Sequence, residues 1–175
     1  MKRTRLGVVL AAVTVMATVA VPAHAADTNA TFAIDSGGLA ISAPASANLG
    51  SVGSGGSSVA GQMGQVRVTD TRGLLVATWT ATVGSTPFTS GTATDPERVT
   101  KANIAYNSGT GTARGSDVGV FTPGLANDLS TNATAGAWTA GVGNNEVNWN
   151  PTLTFTLRPD QVAGTYSGTV THSVN

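Results

Sequence analysis

Few side chains in this sequence could do chemistry, and their types limit what that chemistry is. Beyond residue 25 there is one histidine, His172, and the whole chain has no cysteine. Nucleophilic catalysis needs a nucleophile, a base and a group that orients the base. Ser173 directly follows His172, and consecutive strand side chains point to opposite faces, so these two do not pair. No G-x-S-x-G elbow is present. Glycoside hydrolysis would take two facing carboxylates. The only glutamates, Glu97 and Glu146, lie in Asn-, Pro- or Gly-rich stretches with nothing beside them to raise a pKa. "GNNEVNWN" offers Asn144, Asn145, Glu146, Asn148 and Asn150 as oxygen ligands, yet lacks the Asp-rich spacing of a calcium loop and reads as a polar turn. One histidine without cysteine leaves no transition-metal site. The residues describe a protein without catalytic, metal or cofactor groups.

Aromatic rings remain, and a sugar- or peptide-binding surface would use them as stacking platforms. Trp79 sits in "TRGLLVATWTATV", Thr71 to Val83. Strand alternation places Leu75, Ala77, Trp79, Ala81 and Val83 on one face and Leu74, Val76, Thr78, Thr80 and Thr82 on the other, which makes Trp79 a core residue. Trp138 ("GAWTAG") and Trp149 ("NWNP") sit beside Gly and Asn in turn-like context. They read either as a partly exposed pair or as a buried plug at one end of the fold. His172 shares a face with Tyr166, Val170 and Val174 and reads as packed. Trp79, His172, Trp138 and Trp149 are the candidate ligand-binding residues.

The elements that would position these residues are strands. "TFAID", "GLAISAP", "QVRVTD", "NIAYNS", "TLTFTL" and "GTYSGTVTHSV" alternate apolar and polar residues, with Phe32, Ile34, Leu39, Ile41, Val66, Val68, Ile104, Tyr106, Leu153, Phe155 and Leu157 on the apolar faces. Clusters such as "DTRG", "GSTPFTSG", "NSGTGT", "FTPGLAND" and "RPDQVAG" separate them as turns. Many short strands with such punctuation predict an all-β, antiparallel β-sandwich in one domain, residues 26–175, with a Gly/Ser-rich loop near 50–58. Residues 1–25 read as a signal peptide: Lys2, Arg3 and Arg5, an apolar run from Leu6 to Val21, then "PAHA". That run is shorter than the roughly 20 residues of a membrane span, so the mature chain is expected to be secreted and to carry no membrane span. The remaining chain has six basic and nine acidic side chains and no Lys/Arg cluster, which argues against nucleic acid and anionic lipid as partners.

Two stretches carry a family resemblance. "GQVRVTDTRGLLVATWTATV", Gly64 to Val83, resembles the first signature of the WxL-domain cell-surface proteins of Gram-positive bacteria. "WNPTLTFTLRPDQVAGTYSGTVTHSVN", Trp149 to Asn175, resembles their closing part, and "KANIAYNSGTG" fits between. The first Trp-x-Leu reads Trp79–Thr80–Ala81 here, and the second is replaced by His172–Ser173–Val174. The high Ala, Gly and Thr content suits an actinobacterial relative. The resemblance implies non-covalent attachment to cell-wall peptidoglycan, a surface location, and a role for Trp79, with His172 in the second slot. "AGTYSGTVTHSV" is also similar to the last strand of spore-coat-U-type and pilin-like sandwiches, which implies a structural subunit that associates with itself or with another extracellular protein.

Overall fold

The computed structural model describes residues 28–175, so the expected signal peptide lies outside the described residues. Thr28–Ile34 carry no regular secondary structure, and Phe32 and Ile34 are 89% and 85% exposed. The strand expected over "TFAID" is therefore absent: alternation makes a strand only where a neighbour supplies the ladder.

From Asp35 onward the chain is a β-sandwich of antiparallel strands. The first sheet is built on two long strands, β3 (Val66–Ser85) and β10 (Ala133–Trp149), paired along almost their whole length. On the far side of β3 lie β1 (Leu39–Ser42) and β12 (Val170–Val174), one at each end. On the far side of β10 lie β7 (Thr112–Ala113) and β8 (Val118–Pro123). The second sheet has the order β2 (Ser58–Gln62), β11 (Thr152–Thr156), β6 (Ile104–Asn107) and β9 (Leu125–Ala126). A short pair, β4 (Phe88–Thr89) and β5 (Arg98–Val99), stands apart.

The core forms where inward residues of both sheets meet: Val66, Val68, Trp79 and Val83 from β3, Val147 from β10, Ile104 from β6, Leu153 and Phe155 from β11. Apart from Val147, which lies in the stretch expected to be a polar turn, these are the alternating positions of the sequence runs, and their burial is the main force holding the sheets together.

β3 departs from simple alternation in its middle. Val66, Val68 and Asp70 face inward at even positions, whereas Ala77, Trp79, Ala81 and Val83 face inward at odd ones. An odd number of extra residues exchanges the two faces of a strand. Here β3 carries three more residues than β10 between Asp70 and Ala77: two before Leu74, around Gly73 (φ +65°), and one between Leu74 and Ala77. β10 answers with Ala140 (φ +53°), Gly143 (φ +70°) and register shifts against β3. Leu75, expected inside with Trp79, consequently lies on the bend and is 81% exposed, with Leu74 and Val76 exposed beside it. The "DTRG" cluster is a kink inside one continuous strand rather than a turn between two.

Candidate functional site

The turn-like segments around Trp138 and Trp149 are one strand, β10, and this settles the two open alternatives for that pair. Trp79, Trp138 and Trp149 are 3%, 1% and 2% exposed. Trp79 and Trp138 are partners in register across β3 and β10, stacked at 6.4 Å between ring centroids with 10° between planes. Trp149 also stacks with Trp79, at 6.5 Å, and Phe121 of β8 lies 5.4 Å from Trp149. Offset aromatic stacking at these distances adds about 0.5–1.5 kcal/mol per pair beyond burial. The three indoles form one interior stack and leave no ring face for a ligand. As surface stacking platforms they are excluded by burial.

Glycines, several of them in stretches that resembled turns, make room for this stack. A Cβ on Gly119 or Gly141 would overlap the Trp138 ring, and one on Gly111 or Gly136 would overlap Phe121. Trp138 Nε1 is buried without a partner.

Trp79 ends a buried polar chain. Its Nε1 donates to Asn145 Oδ1 at 2.8 Å, and Asn145 Nδ2 donates to Asp70 Oδ2 at 3.3 Å. Arg72 grips the same carboxylate with two donors, Nε to Oδ1 and Nη2 to Oδ2, each at 2.9 Å. Arg72 Nη2 also donates to the Thr78 carbonyl at 2.7 Å, bridging the bulge. Asp70 is fully buried, and the Arg72 hydrogen bonds hold its carboxyl below the usual carboxylate range despite the opposing effect of desolvation. The network explains D-x-R-G: Asp70 and Arg72 brace the kink that Gly73 permits, and Asn145 passes the brace to Trp79. Asn145 is thus a structural residue of the core, not part of an exposed polar turn.

His172 and Trp79 lie on adjacent strands of one sheet and point to the same, inward side. His172 pairs in register with Val83 and Val174 with Ala81, both inward positions of β3. His172 Nε2 and Tyr106 Oη are hydrogen-bonded at 3.2 Å, and Tyr106 Oη accepts from Trp149 Nε1 at 2.9 Å. These two bonds join the sheets, and they leave His172 Nδ1 buried with no partner.

Burial pushes the His172 pKa down to about 4 and the Tyr106 pKa up to about 12. A histidine with a lowered native pKa binds its proton more readily in the unfolded chain. Its contribution to stability is therefore complete above about pH 6.5 and is lost progressively as pH falls toward 4, by up to about 3 kcal/mol. Urea midpoints between pH 7 and pH 4 should fall accordingly, and a His172→Phe variant should flatten that slope.

Glu97 and Glu146 serve local structure. Glu97 Oε2 accepts from Thr94 Oγ1 at 2.8 Å and Thr92 Oγ1 at 3.0 Å, closing a turn, and the Thr94 bonds lower its pKa. Glu146 Oε1 accepts from Asn148 Nδ2 and lies 3.7 Å from Arg67 Nε.

The surface feature that offers space for a ligand lies elsewhere. A groove of about 780 Å³ opens between the β1–β2 loop, Ala45 to Gly56, and the segment Leu157 to Gly168. Its floor is the Phe88–Phe155 pair, packed edge to face at 4.7 Å, together with Val99. Backbone of the Gly/Ser loop lines one wall, while Arg158, Gln161, Val162 and Tyr166 line the other. Tyr166 Oη lies 2.8 Å from the Val162 carbonyl and 3.0 Å from that of Pro96, and Gln161 Nε2 donates to the Pro96 carbonyl at 2.8 Å. That wall is thereby tied to the turn before β5. Arg158 is the only charged side chain lining the groove.

No family model matches the chain, and no curated protein or solved structure matches it. The class of protein defined by the described residues is an all-β sandwich, and the WxL resemblance rests on the quoted motifs alone. Among the described residues no helix is long and apolar enough to cross a membrane.

Proposed function

We propose that this is a secreted, non-catalytic surface protein that associates non-covalently with cell-wall peptidoglycan through the groove between the β1–β2 loop and Leu157–Gly168. The observation that carries this reading is the groove itself. It is long, open and glycine-walled, with an apolar floor and one guanidinium, Arg158. A wall polymer presents sugar hydroxyls and peptide carboxylates along an extended chain. Backbone groups of the loop suit the first, and Arg158 suits the second where a ligand carboxylate displaces the exposed Asp160, whose Oδ1 lies 3.1 Å from Arg158 Nε. The Trp79 strand and the His172 strand, which the resemblance assigns to wall attachment, act indirectly in this reading, by holding the sandwich on which the groove is built.

Cosedimentation of the purified protein with isolated sacculi tests the proposal. The protein should pellet saturably with sacculi and remain soluble without them. A protein left wholly in the supernatant at every sacculus concentration would remove the reading.

A further inference from the structure

The polar chain that joins the two sheets ends on a lightly held strand. Among the described residues β12 pairs with β3 and with no other strand. None of its five residues is fully buried: Val170, His172 and Val174 are half-buried on the inward side, and Thr171 and Ser173 are exposed. β3 and β10, by contrast, each bury several side chains completely. Little apolar area is lost when such a strand lets go, and elements of this kind open locally, at less cost than the whole fold.

The middle residue of β12 is tied to the opposite sheet, with the His172 and Tyr106 rings 5.7 Å apart between centroids and one hydrogen bond between Nε2 and Oη. A neutral imidazole fits this place, since it asks for one bond through Nε2 and leaves Nδ1 buried with none. An imidazolium does not fit. It is a donor at both nitrogens, so Nδ1–H would be buried without an acceptor and the charge without a counter-charge. β3 presents Val83 and Ala81 beside it, and β1, which also packs near β12, presents Leu39 and Ile41 inward. Tyr106 is the titratable group facing it from β6, and burial keeps that phenol neutral. Among the described residues no carboxylate lies within ion-pair distance of His172.

We propose that β12 is an acid-released strap: uptake of one proton by His172 undocks Val170–Val174 from β3 while the rest of the sandwich stays folded. Undocking exposes the β3 edge from Ala81 to Ser85 and opens the core beside Tyr106. In the open form the proton sits on a hydrated imidazole of ordinary affinity, so raising the pH reverses the change. The open form binds the proton more tightly than the docked one. Opening therefore grows as pH falls below about 6.5 and levels off once docked His172 also titrates, near 4.

Native-state hydrogen exchange, read residue by residue with and without low urea, tests this. Between pH 7 and pH 5 the protection factors of the β12 amides should fall by roughly twentyfold. At both pH values they should lie below those of Leu153 and Phe155 in β11. Low urea should reduce protection at Leu153 and Phe155 but leave β12 unchanged, because a local opening exposes little surface. His172→Gln, which takes up no proton, should remove the pH dependence of β12. Protection in β12 equal to that of Leu153 and Phe155, with the same urea response, would overturn the proposal, since the strand would then open only with the whole fold. So would β12 protection that is constant from pH 7 to pH 5, or a fall that His172→Gln retains.

Discussion

Arg72→Ala is expected to cost about 3–5 kcal/mol of unfolding free energy, because it strands a buried carboxylate. Asp70 is fully buried, and the Arg72 side chain supplies two of its donors, so the substitution leaves only the residue-72 backbone N–H at 3.0 Å and Asn145 Nδ2 at 3.3 Å. The same change frees the Thr78 carbonyl and removes the strut across the bulge of β3. Asp70→Asn should cost less, since it removes the buried charge together with its partner's purpose while Arg72, partly exposed, stays hydrated. Combining Asp70→Asn with Arg72→Ala should recover part of the Arg72→Ala loss, the non-additivity expected of contacting residues. In the parent, the lowered pKa of Asp70 means that its stabilisation is present above the unfolded carboxylate pKa and disappears as pH falls through the native value. Urea midpoints of the four proteins at neutral pH measure all of this.

Gly119→Ala should be as damaging, at about 3 kcal/mol or more. Its φ of +143° is a region in which side-chain-bearing residues are strained by roughly 1–3 kcal/mol, and its Cβ would overlap the Trp138 ring. The ring cannot yield easily, since Trp138 is stacked on Trp79 and Gly141 also lies against its Nε1. Overpacking of that kind adds about 1–3 kcal/mol. Gly143→Ala is the matched comparison: its φ is +70°, but the space around it is open, so it should lose only about 1–2 kcal/mol. Equal losses at the two positions would mean that the crowding around Trp138 contributes nothing.

These two sites show which parts of the structure the sequence discloses. Alternation is faithful where a strand keeps one inward face: Ala77 to Val83, Leu153 and Phe155, Ile104 and Tyr106 lie where period two puts them. It fails at the bulge, because β3 has an odd excess of residues over β10 between Asp70 and Ala77, which reverses the faces and carries Leu75 outside. β10 is hidden for a different reason. Its Gly136, Gly141 and Gly143, read as turn punctuation, are spaces for Phe121 and Trp138 or sites of bulging, and that is visible only once partners across the sheet are known. The tryptophans were legible as the aromatic inventory, and burial decides their role. The Asp70–Arg72–Asn145 brace had a local sign in D-x-R-G, but Asn145 enters from 75 residues away. The groove's walls were legible only as two separate loops, the Gly/Ser-rich loop and "RPDQVAG", which are brought together by the pairing of β2 with β11 and of Thr89 with Ser167.

The claim that binding belongs to the groove and not to the indoles is tested most directly by a sacculus cosedimentation comparing the parent with Val162→Glu. Val162 lines the groove and is partly exposed, so glutamate is tolerated by the fold while it narrows the groove and opposes the wall's carboxylates. The account predicts saturable pelleting of the parent and at least a tenfold loss of affinity in the variant, with unchanged melting temperature. Undiminished pelleting of Val162→Glu, or a parent that does not pellet, would contradict it.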